Sequence, residues 1–169
     1  MEMTSAYANK MLKSLEEDKE YWLNLENTSS TYVAANDEEP VIPEYNYGEV
    51  SATITAIDAK IAVLKHAINL SNATAKVKVG DEEMSVDMIL VKMAQLNRRK
   101  GILDNMRKLL PKQREVQAFS GRNAVPEYRY INYDLDVVKR DYETVSEKIL
   151  ALQMALDLHN QTVTFDVEI

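Results

Sequence analysis

Apolar residues recur at spacings of three and four in two long stretches of the chain. The two series are Val50, Ile54, Ile57, Ile61, Leu64 and Ile68, and Leu135, Val138, Tyr142, Val145, Ile149, Leu152 and Leu156. Spacing that averages about 3.5 residues places a narrow apolar seam along one side of an α-helix, as in helices that pack knobs into holes. Because neither seam can face water, we predict that each pairs with other helices within the chain, between chains, or both.

Two more stretches have helical spacing, so four helices are predicted in all. They cover about residues 4–27, 47–72, 86–110 and 134–158. Three of these helices begin at residues whose side chains cap helix N-termini. They are Thr4 or Ser5 for the first helix, Ser85 for the third and Asp134 for the fourth. Pro111 stops or kinks the third helix, since proline lacks the backbone N–H that a helix interior needs. Helical structure could resume beyond it, through Val116.

Short segments with period-two alternation predict a small β element. They are residues 75–79, which return through Met84 after a turn at Gly80–Asp81, residues 128–133 and residues 162–169. A lone two-stranded hairpin is marginally stable in water, so we predict that these segments share one sheet. The predicted fold class is mainly α: an antiparallel bundle of three to four long coiled-coil-like helices with a small β-sheet or hairpin at one end.

Two segments interrupt the helical pattern. Pro40 and Pro43 forbid a continuous helix and favour extended backbone, and residues 118–125 are predicted to form a loop. With 169 residues the chain is long enough for one ordinary domain. We therefore predict a single helical domain over residues 1–169. It comprises an N-terminal helix (1–28), a proline-containing linker (29–47) and a helical core with the small β element (48–169).

Composition narrows the class of protein. The chain has no cysteine, which removes disulfides, thiol nucleophiles and cysteine-based zinc sites. It has only four glycines and four prolines, too few for a barrel or sandwich with many tight turns. Residues 1–5 include an acid and no apolar run, unlike a signal peptide. No run approaches the ~18 apolar residues of a membrane span, so we expect a soluble, cytoplasmic protein.

Charge is unevenly distributed along the chain. The formal net charge of −7 argues against general nucleic-acid binding. Residues 92–114, here called the basic cluster, nevertheless carry eight basic side chains and one acid. A nucleic-acid partner would require neighbouring aromatic residues or a flat basic face, and neither is evident, so we predict no such partner. The bases either contact another protein, through Arg98, Arg99 and Lys100, or face the acidic first and fourth helices and set their register.

Two tyrosines complete the candidate interface. Tyr128 and Tyr130 lie on one face of a predicted strand, because side chains alternate along β-structure. Rings with a polar tip suit a binding surface, although they could equally close the open end of a bundle. The candidate interface is therefore Tyr128, Tyr130, Arg98, Arg99 and Lys100, with a second copy of the chain or another protein as the expected partner.

Motifs for catalysis, cofactors or metals do not occur in the sequence. His66 and His159 belong to no His-x-x-x-His or Glu-x-x-His motif, whereas a zinc site needs about four converging ligands. There is no Gly-x-Ser-x-Gly segment and no glycine-rich phosphate loop. We predict a non-enzymatic protein with no cofactor and no metal.

Three segments from the second helix onward carry a family resemblance. They are residues 61–74, ending in Ala67-Ile68-Asn69-Leu70-Ser71-Asn72-Ala73-Thr74; Met84-Ser85-Val86-Asp87-Met88-Ile89-Leu90 with the adjacent Arg98-Arg99; and residues 130–160, whose helix contains Ile149 and Leu152. On these segments the chain resembles a family of small uncharacterised bacterial helical proteins, some of which bear the name septicolysin. That name implies a membrane-active, pore-forming protein. The family typically has a tryptophan near the end of its last helix, where this chain reads Leu158-His159-Asn160-Gln161, so no role of that tryptophan is carried over.

Together the patterns favour a non-catalytic function. The main hypothesis is a structural or adaptor protein that self-associates through its helical seams. One alternative is the membrane activity that the septicolysin resemblance implies. The other is a small-molecule binder or enzyme that uses the tyrosine-bearing strand.

Overall fold

The computed structural model describes residues 1–115 and 125–169. Within these ranges the chain forms four helices, α1 (Ser5–Ser29), α2 (Tyr47–Thr74), α3 (Val86–Arg107) and α4 (Leu135–Thr162). Six short strands accompany them: β1 (Glu2–Thr4), β2 (Lys76–Val79), β3 (Glu82–Ser85), β4 (Lys112–Arg114), β5 (Tyr128–Tyr130) and β6 (Thr164–Asp166). The predicted mainly helical class with small antiparallel strand pairs is confirmed. Assembly of the helices into one coiled-coil-like bundle stays a prediction.

Helix starts follow the predicted capping residues with one exception. Thr4 accepts a hydrogen bond from a backbone N–H of the first turn of α1, and Asp134 does the same for α4. Asn46 caps α2, accepting from the N–H of Gly48 at 3.0 Å. Ser85 precedes α3 as predicted, but its hydroxyl donates to the Asp87 carboxylate, and its side chain accepts no capping hydrogen bond. None of the helices in the described ranges has the length and apolar character needed to cross a bilayer.

The chain divides into two compact units. The terminal unit comprises Met1–Lys76 and Asp157–Ile169, and the central unit comprises Val77–Leu156. The single domain predicted over residues 1–169 stays a prediction. Residues 30–46, between α1 and α2, form no helix or strand.

In the terminal unit α1 and α2 pack against each other in opposite directions. Lys19 Nζ lies 2.6 Å from Asp58 Oδ1, and Lys65 Nζ lies 2.8 Å from Glu16 Oε1, so later residues of α2 meet earlier residues of α1. These ion pairs are solvent-exposed and contribute little, typically about 0–1 kcal/mol each. Burial of apolar side chains holds the unit together. The core cluster is Met3, Ala8, Leu64, Ile68 and Val167.

Both predicted seams are covered within a single chain. In α2 the seam residues Val50, Ile57, Leu64 and Ile68 are buried, and the other two are half-buried. In α4 Val138, Leu152 and Leu156 are buried, and the remaining four are half-buried. Each fully buried aliphatic side chain stabilises the folded chain by about 1.5–3 kcal/mol. The folded chain therefore buries seven of the thirteen seam residues without a second copy.

The strands form three separate two-stranded sheets, β1–β6, β2–β3 and β4–β5. The prediction of one shared sheet is wrong, because β1 and β4 supply partners that the alternation pattern did not reveal. Continuation of α3 through Val116 is not seen over the described residues: the chain leaves the helix and enters β4 after Pro111. The β2–β3 turn was predicted correctly at Gly80, which has a φ of +62° that a side chain would strain. Except for Val125, the loop predicted over 118–125 lies outside the described residues.

Candidate functional site

An open groove runs along the terminal unit between the C-terminal half of α2 and strand β6. Its volume is about 910 Å³. The α2 side is lined by residues from Ala62 to Thr74 and by Ala75, and the strand side by residues from Val163 to Glu168. The groove is therefore bounded by α2, here called its floor, and by strand β6.

The floor is apolar and only partly covered. Val63 and Leu70 of α2 are 39% and 56% exposed, and Val163 at the strand end is 43% exposed. These side chains lie off the buried seam of α2, which turns Leu64 and Ile68 towards the core. Exposed apolar side chains gathered in a concave surface are typical of a binding site.

Strand β6 presents an unpaired edge to this groove. The backbone groups of Met1 and Val167 are hydrogen-bonded to each other in both directions, at 2.6 and 2.8 Å. Met3 faces Phe165 in the same ladder. In an antiparallel pair, alternate residues direct their N–H and C=O groups to opposite sides. The backbone groups of Thr164 and Asp166 therefore point away from β1, to the side where no described strand pairs with β6.

Two carboxylates stand at this edge. Asp166 and Glu168 line the groove, and in the described part of the chain neither forms an ion pair or a side-chain hydrogen bond. Glu2, on the paired strand, accepts a hydrogen bond from the Thr164 hydroxyl instead. No lysine or arginine occurs among the described residues that line the groove. The edge is therefore acidic as well as unpaired.

The two histidines differ in setting. His66 lies on the exposed floor of the groove. His159, near the end of α4, is buried, and burial lowers the pKa of its imidazole. Over residues 1–115 and 125–169, no group of three or more His, Asp or Glu side chains could hold a metal ion. What the groove offers is backbone pairing and apolar contact.

The predicted tyrosine pair lies on the β4–β5 ribbon of the central unit. The register places Tyr130 opposite Lys112 and Tyr128 opposite Arg114. Lys112 Nζ is 4.3 Å from the ring centre of Tyr128 and 5.6 Å from that of Tyr130. The tyrosines are 44% and 62% exposed. The ribbon thus has one aromatic and basic face, stabilised by cation–π contacts.

The opposite face of the ribbon carries an ion pair. Arg129 Nε donates to Glu115 Oε2 at 3.0 Å, and a second guanidinium nitrogen binds the other carboxylate oxygen. Hydrogen bonding to Arg129 lowers the pKa of the Glu115 carboxyl. The pair is bidentate and links β4 to β5 in the ribbon.

The structure does not join the tyrosine pair to the predicted arginines. Lys100 lies 5.5 Å from the ring centre of Tyr142, which Arg107 also covers at 4.1 Å. Arg98 and Arg99 are exposed on α3. The contacts of Tyr128 and Tyr130 are with Lys112 from the other end of the basic cluster. The interface predicted from these five residues stays a prediction.

Other bases of the cluster have acidic partners nearby in the central unit. Arg107 lies 2.7 Å from Asp104, Lys108 also binds that carboxylate, and Lys92 lies 2.8 Å from Glu82. Hydrogen bonds from Lys108 and Arg107 lower the pKa of Asp104. Three of the eight bases of the cluster thus have acidic partners in the described part of the central unit.

The sequence analysis missed the groove. Two signals in the sequence point to it. Val63 and Leu70 are apolar positions of α2 that lie outside the seam, and residues 162–169 alternate as a strand does. Their meeting could not be predicted, because β6 pairs with the first residues of the chain.

Comparison with known proteins gives the fold and no activity. No family model matches the chain, and no curated protein matches it. A solved structure described as a functionally unknown conserved protein from Corynebacterium diphtheriae is similar, with a TM-score of 0.66 and 13% sequence identity over 98% of this chain and 100% of that chain. The fold therefore also occurs in a conserved bacterial protein of unknown function.

Proposed function

We propose that this protein is a non-enzymatic adaptor that holds an extended segment of another polypeptide in the α2–β6 groove. The observation that supports this most directly is the unpaired edge of β6 beside an apolar helical floor. Strand addition to a sheet edge is a recurrent mode of peptide recognition, in which backbone hydrogen bonds give affinity and side-chain pockets give specificity.

The edge is preformed, which favours binding. Met3 and Val167 are only 4% and 1% exposed, so the inner face of the β1–β6 sheet is fixed by the core. The incoming segment alone has to lose conformational freedom, and a rigid site lowers the entropic cost of association. Alternate side chains of that segment would cover Val63 and Leu70, while its backbone pairs with Thr164 and Asp166.

Self-association was the expected mode of assembly, and it stays a prediction. Seven of the thirteen seam residues proposed for it are buried within one chain, which favours another surface for a partner. We favour the groove as the binding surface for any partner. Light scattering, which gives the molar mass of the protein in solution, tests whether that partner is a second copy of the chain.

A peptide library tests the proposal. Selection of displayed octapeptides on the purified chain should enrich sequences with β-prone apolar residues at alternate positions. Asp166→Pro and Asp166→Ala both remove the carboxylate, and only Asp166→Pro also removes an outward N–H, so Asp166→Pro should bind an enriched peptide roughly tenfold or more weakly than Asp166→Ala. Unchanged binding by Asp166→Pro would contradict strand addition.

The floor can be tested separately. Leu70→Glu places a charge on the apolar surface and should abolish selection of the same peptides. Leu110→Glu is a matched control, because Leu110 is 62% exposed, lies in the central unit and takes the same change of charge. Equal loss of binding in both variants would argue against the groove.

Membrane activity, implied by the septicolysin resemblance, is a second candidate function. Apolar side chains exposed near the start of α3 support it: Met88 and Val91 are each 58% exposed. Dye-filled liposomes of neutral and anionic composition provide the test. Absence of leakage at every composition would end this candidate and leave the adaptor proposal unaffected.

A further inference from the structure

The β1–β6 sheet has two chemically different faces. Met3 and Val167 are buried and Phe165 is half-buried, so these side chains face the core. Glu2 and Asp166 alternate with them and are exposed. A strand added to β6 would follow the same alternation, with one set of side chains facing the α2 floor and the other set facing outwards.

The outward set would lie beside the unpaired carboxylates. Side chains directly opposite each other on paired strands have Cβ atoms about 4.5–5.5 Å apart, close enough for oppositely charged pairs to stabilise the sheet and like charges to destabilise it. Asp166 lies on β6 itself and Glu168 follows it along the groove. No lysine or arginine lines the described groove, and the Met1 ammonium group lies on the β1 side, where it donates to the Val167 carbonyl at 2.6 Å. Basic side chains of a guest on the groove side could therefore pair with these carboxylates.

From this arrangement we infer that the segment bound in the groove alternates apolar and basic residues, a claim that rests on the proposed function and narrows it. The apolar residues contact Val63 and Leu70, and the basic residues pair with Asp166 and Glu168. Five residues between positions 163 and 168 line the strand side of the groove, and a strand advances about 3.3 Å per residue. A guest of about six residues therefore spans it.

Strand β6 of a second copy of the chain is a poor partner for this edge. Pairing two β6 strands would gather two copies of Asp166 and two of Glu168 on the same face of one sheet. With no lysine or arginine in the described groove lining to balance them, these four carboxylates repel each other. The inference therefore commits to a basic segment of a different protein.

Four labelled octapeptides test the inference by fluorescence anisotropy. Three alternate valine with lysine, glutamine or glutamate, and the fourth contains the valines and lysines in two blocks. We expect the valine–lysine peptide to bind about fivefold or more tightly than the valine–glutamine peptide, and the valine–glutamate peptide to bind most weakly. The blocked peptide should also bind weakly, because it cannot divide its apolar and basic side chains between the two faces.

Two charge variants locate the effect. Asp166→Asn combined with Glu168→Gln should remove the preference for lysine over glutamine while leaving the valine–glutamine peptide bound. Glu38→Gln combined with Glu39→Gln changes the net charge equally at exposed positions between α1 and α2, and should leave the preference intact. Both pairs are exposed, and thermal melts check that the variants fold.

The outcomes separate the inference from the proposed function. Equal binding of the lysine and glutamine peptides, or a preference that survives Asp166→Asn with Glu168→Gln, overturns the inference and leaves strand addition standing. Loss of the preference in the Glu38 and Glu39 control would show a non-specific charge effect and also overturns it. If no alternating peptide binds better than the blocked one, the proposed function fails. A dimer that Asp166→Pro dissociates would make a second copy the occupant and overturn the inference.

Discussion

The β1–β6 and β4–β5 sheets have the same size, and only one of them has a core beneath it. Met3 and Val167 of the first sheet are almost fully buried, whereas all six strand residues of the second are exposed. Any two-stranded sheet has open edges. An edge is useful for binding when a fixed surface extends beyond it, as α2 does beside β6. The β4–β5 ribbon instead depends on contacts between its own side chains.

Among the variants that compare the two sheets, one that removes core packing beneath β1–β6 should lower the free energy of unfolding most. Leu64 of α2 is fully buried in the cluster that includes Met3 and Val167. Leu64→Ala should lower the free energy of unfolding by about 2–5 kcal/mol, because it leaves a cavity beneath the β1–β6 sheet. Urea unfolding measures this, with Leu110→Ala, at an exposed site, as the control that changes stability by less than about 0.5 kcal/mol. Similar losses in both variants would contradict the core described here.

Removal of the tyrosine pair should have a smaller effect. Tyr128→Ala combined with Tyr130→Ala deletes the rings that Lys112 contacts at exposed positions. Exposed cation–π contacts contribute about 0.5–1 kcal/mol each, so we expect a loss of about 1–2 kcal/mol at most. Urea unfolding provides the value. If this double variant cost as much as Leu64→Ala, the ribbon would have a buried role that its exposure contradicts.

Acid should weaken the terminal unit through His159. Because burial lowers the pKa of this imidazole in the folded chain, protonation favours the unfolded state. Stability is complete above the ordinary histidine pKa of about 6.5 and falls as the pH drops below it towards the lowered value. The urea midpoint should therefore decline between pH 7.5 and 5.5, and decline less in His159→Gln. An identical decline in that variant would assign the effect to other groups.

The smallest expected effect is confined to one carboxyl of the ribbon. Arg129 lowers the pKa of Glu115, so the ion pair contributes stability above the ordinary glutamate pKa, which is lost as the pH falls through the lowered value. An NMR titration should give Glu115 a lower pKa in the wild type than in Arg129→Gln. Equal values would show that the pair does not form in solution.

The local features of the fold could be predicted from the sequence, and the pairings between distant segments could not. The seams of α2 and α4 were identified because helical spacing is a local signal, and their residues are the buried or half-buried ones. Strands β1 and β4 were missed because three residues such as Glu2–Thr4 and Lys112–Arg114 are too short to display a period. Lys112 directly follows Pro111, which was expected to stop or kink the third helix, so Lys112 was not recognised as the strand partner of Tyr130. The helix itself ends at Arg107.

The candidate site was missed for a related physical reason. The edge of β6 is defined by its pairing with β1, and the contact between Met1 and Val167 spans 166 residues of sequence. Nothing within α2 distinguishes Val63 and Leu70 from incidental exposed apolar residues until that strand lies beside them. Tyr128 and Tyr130 were correctly placed on a strand, because alternation is local, while their contact with Lys112 is not.

Residue-resolved hydrogen exchange, measured with and without the valine–lysine octapeptide, tests the central claim most directly. The amides of Phe165 and Val167 already face β1, so their protection should change little. The amides of Thr164 and Asp166 should gain protection, because only a strand added on the groove side can bond them. Protection that appears at Tyr128 and Tyr130 instead, or nowhere along β6, would contradict the account.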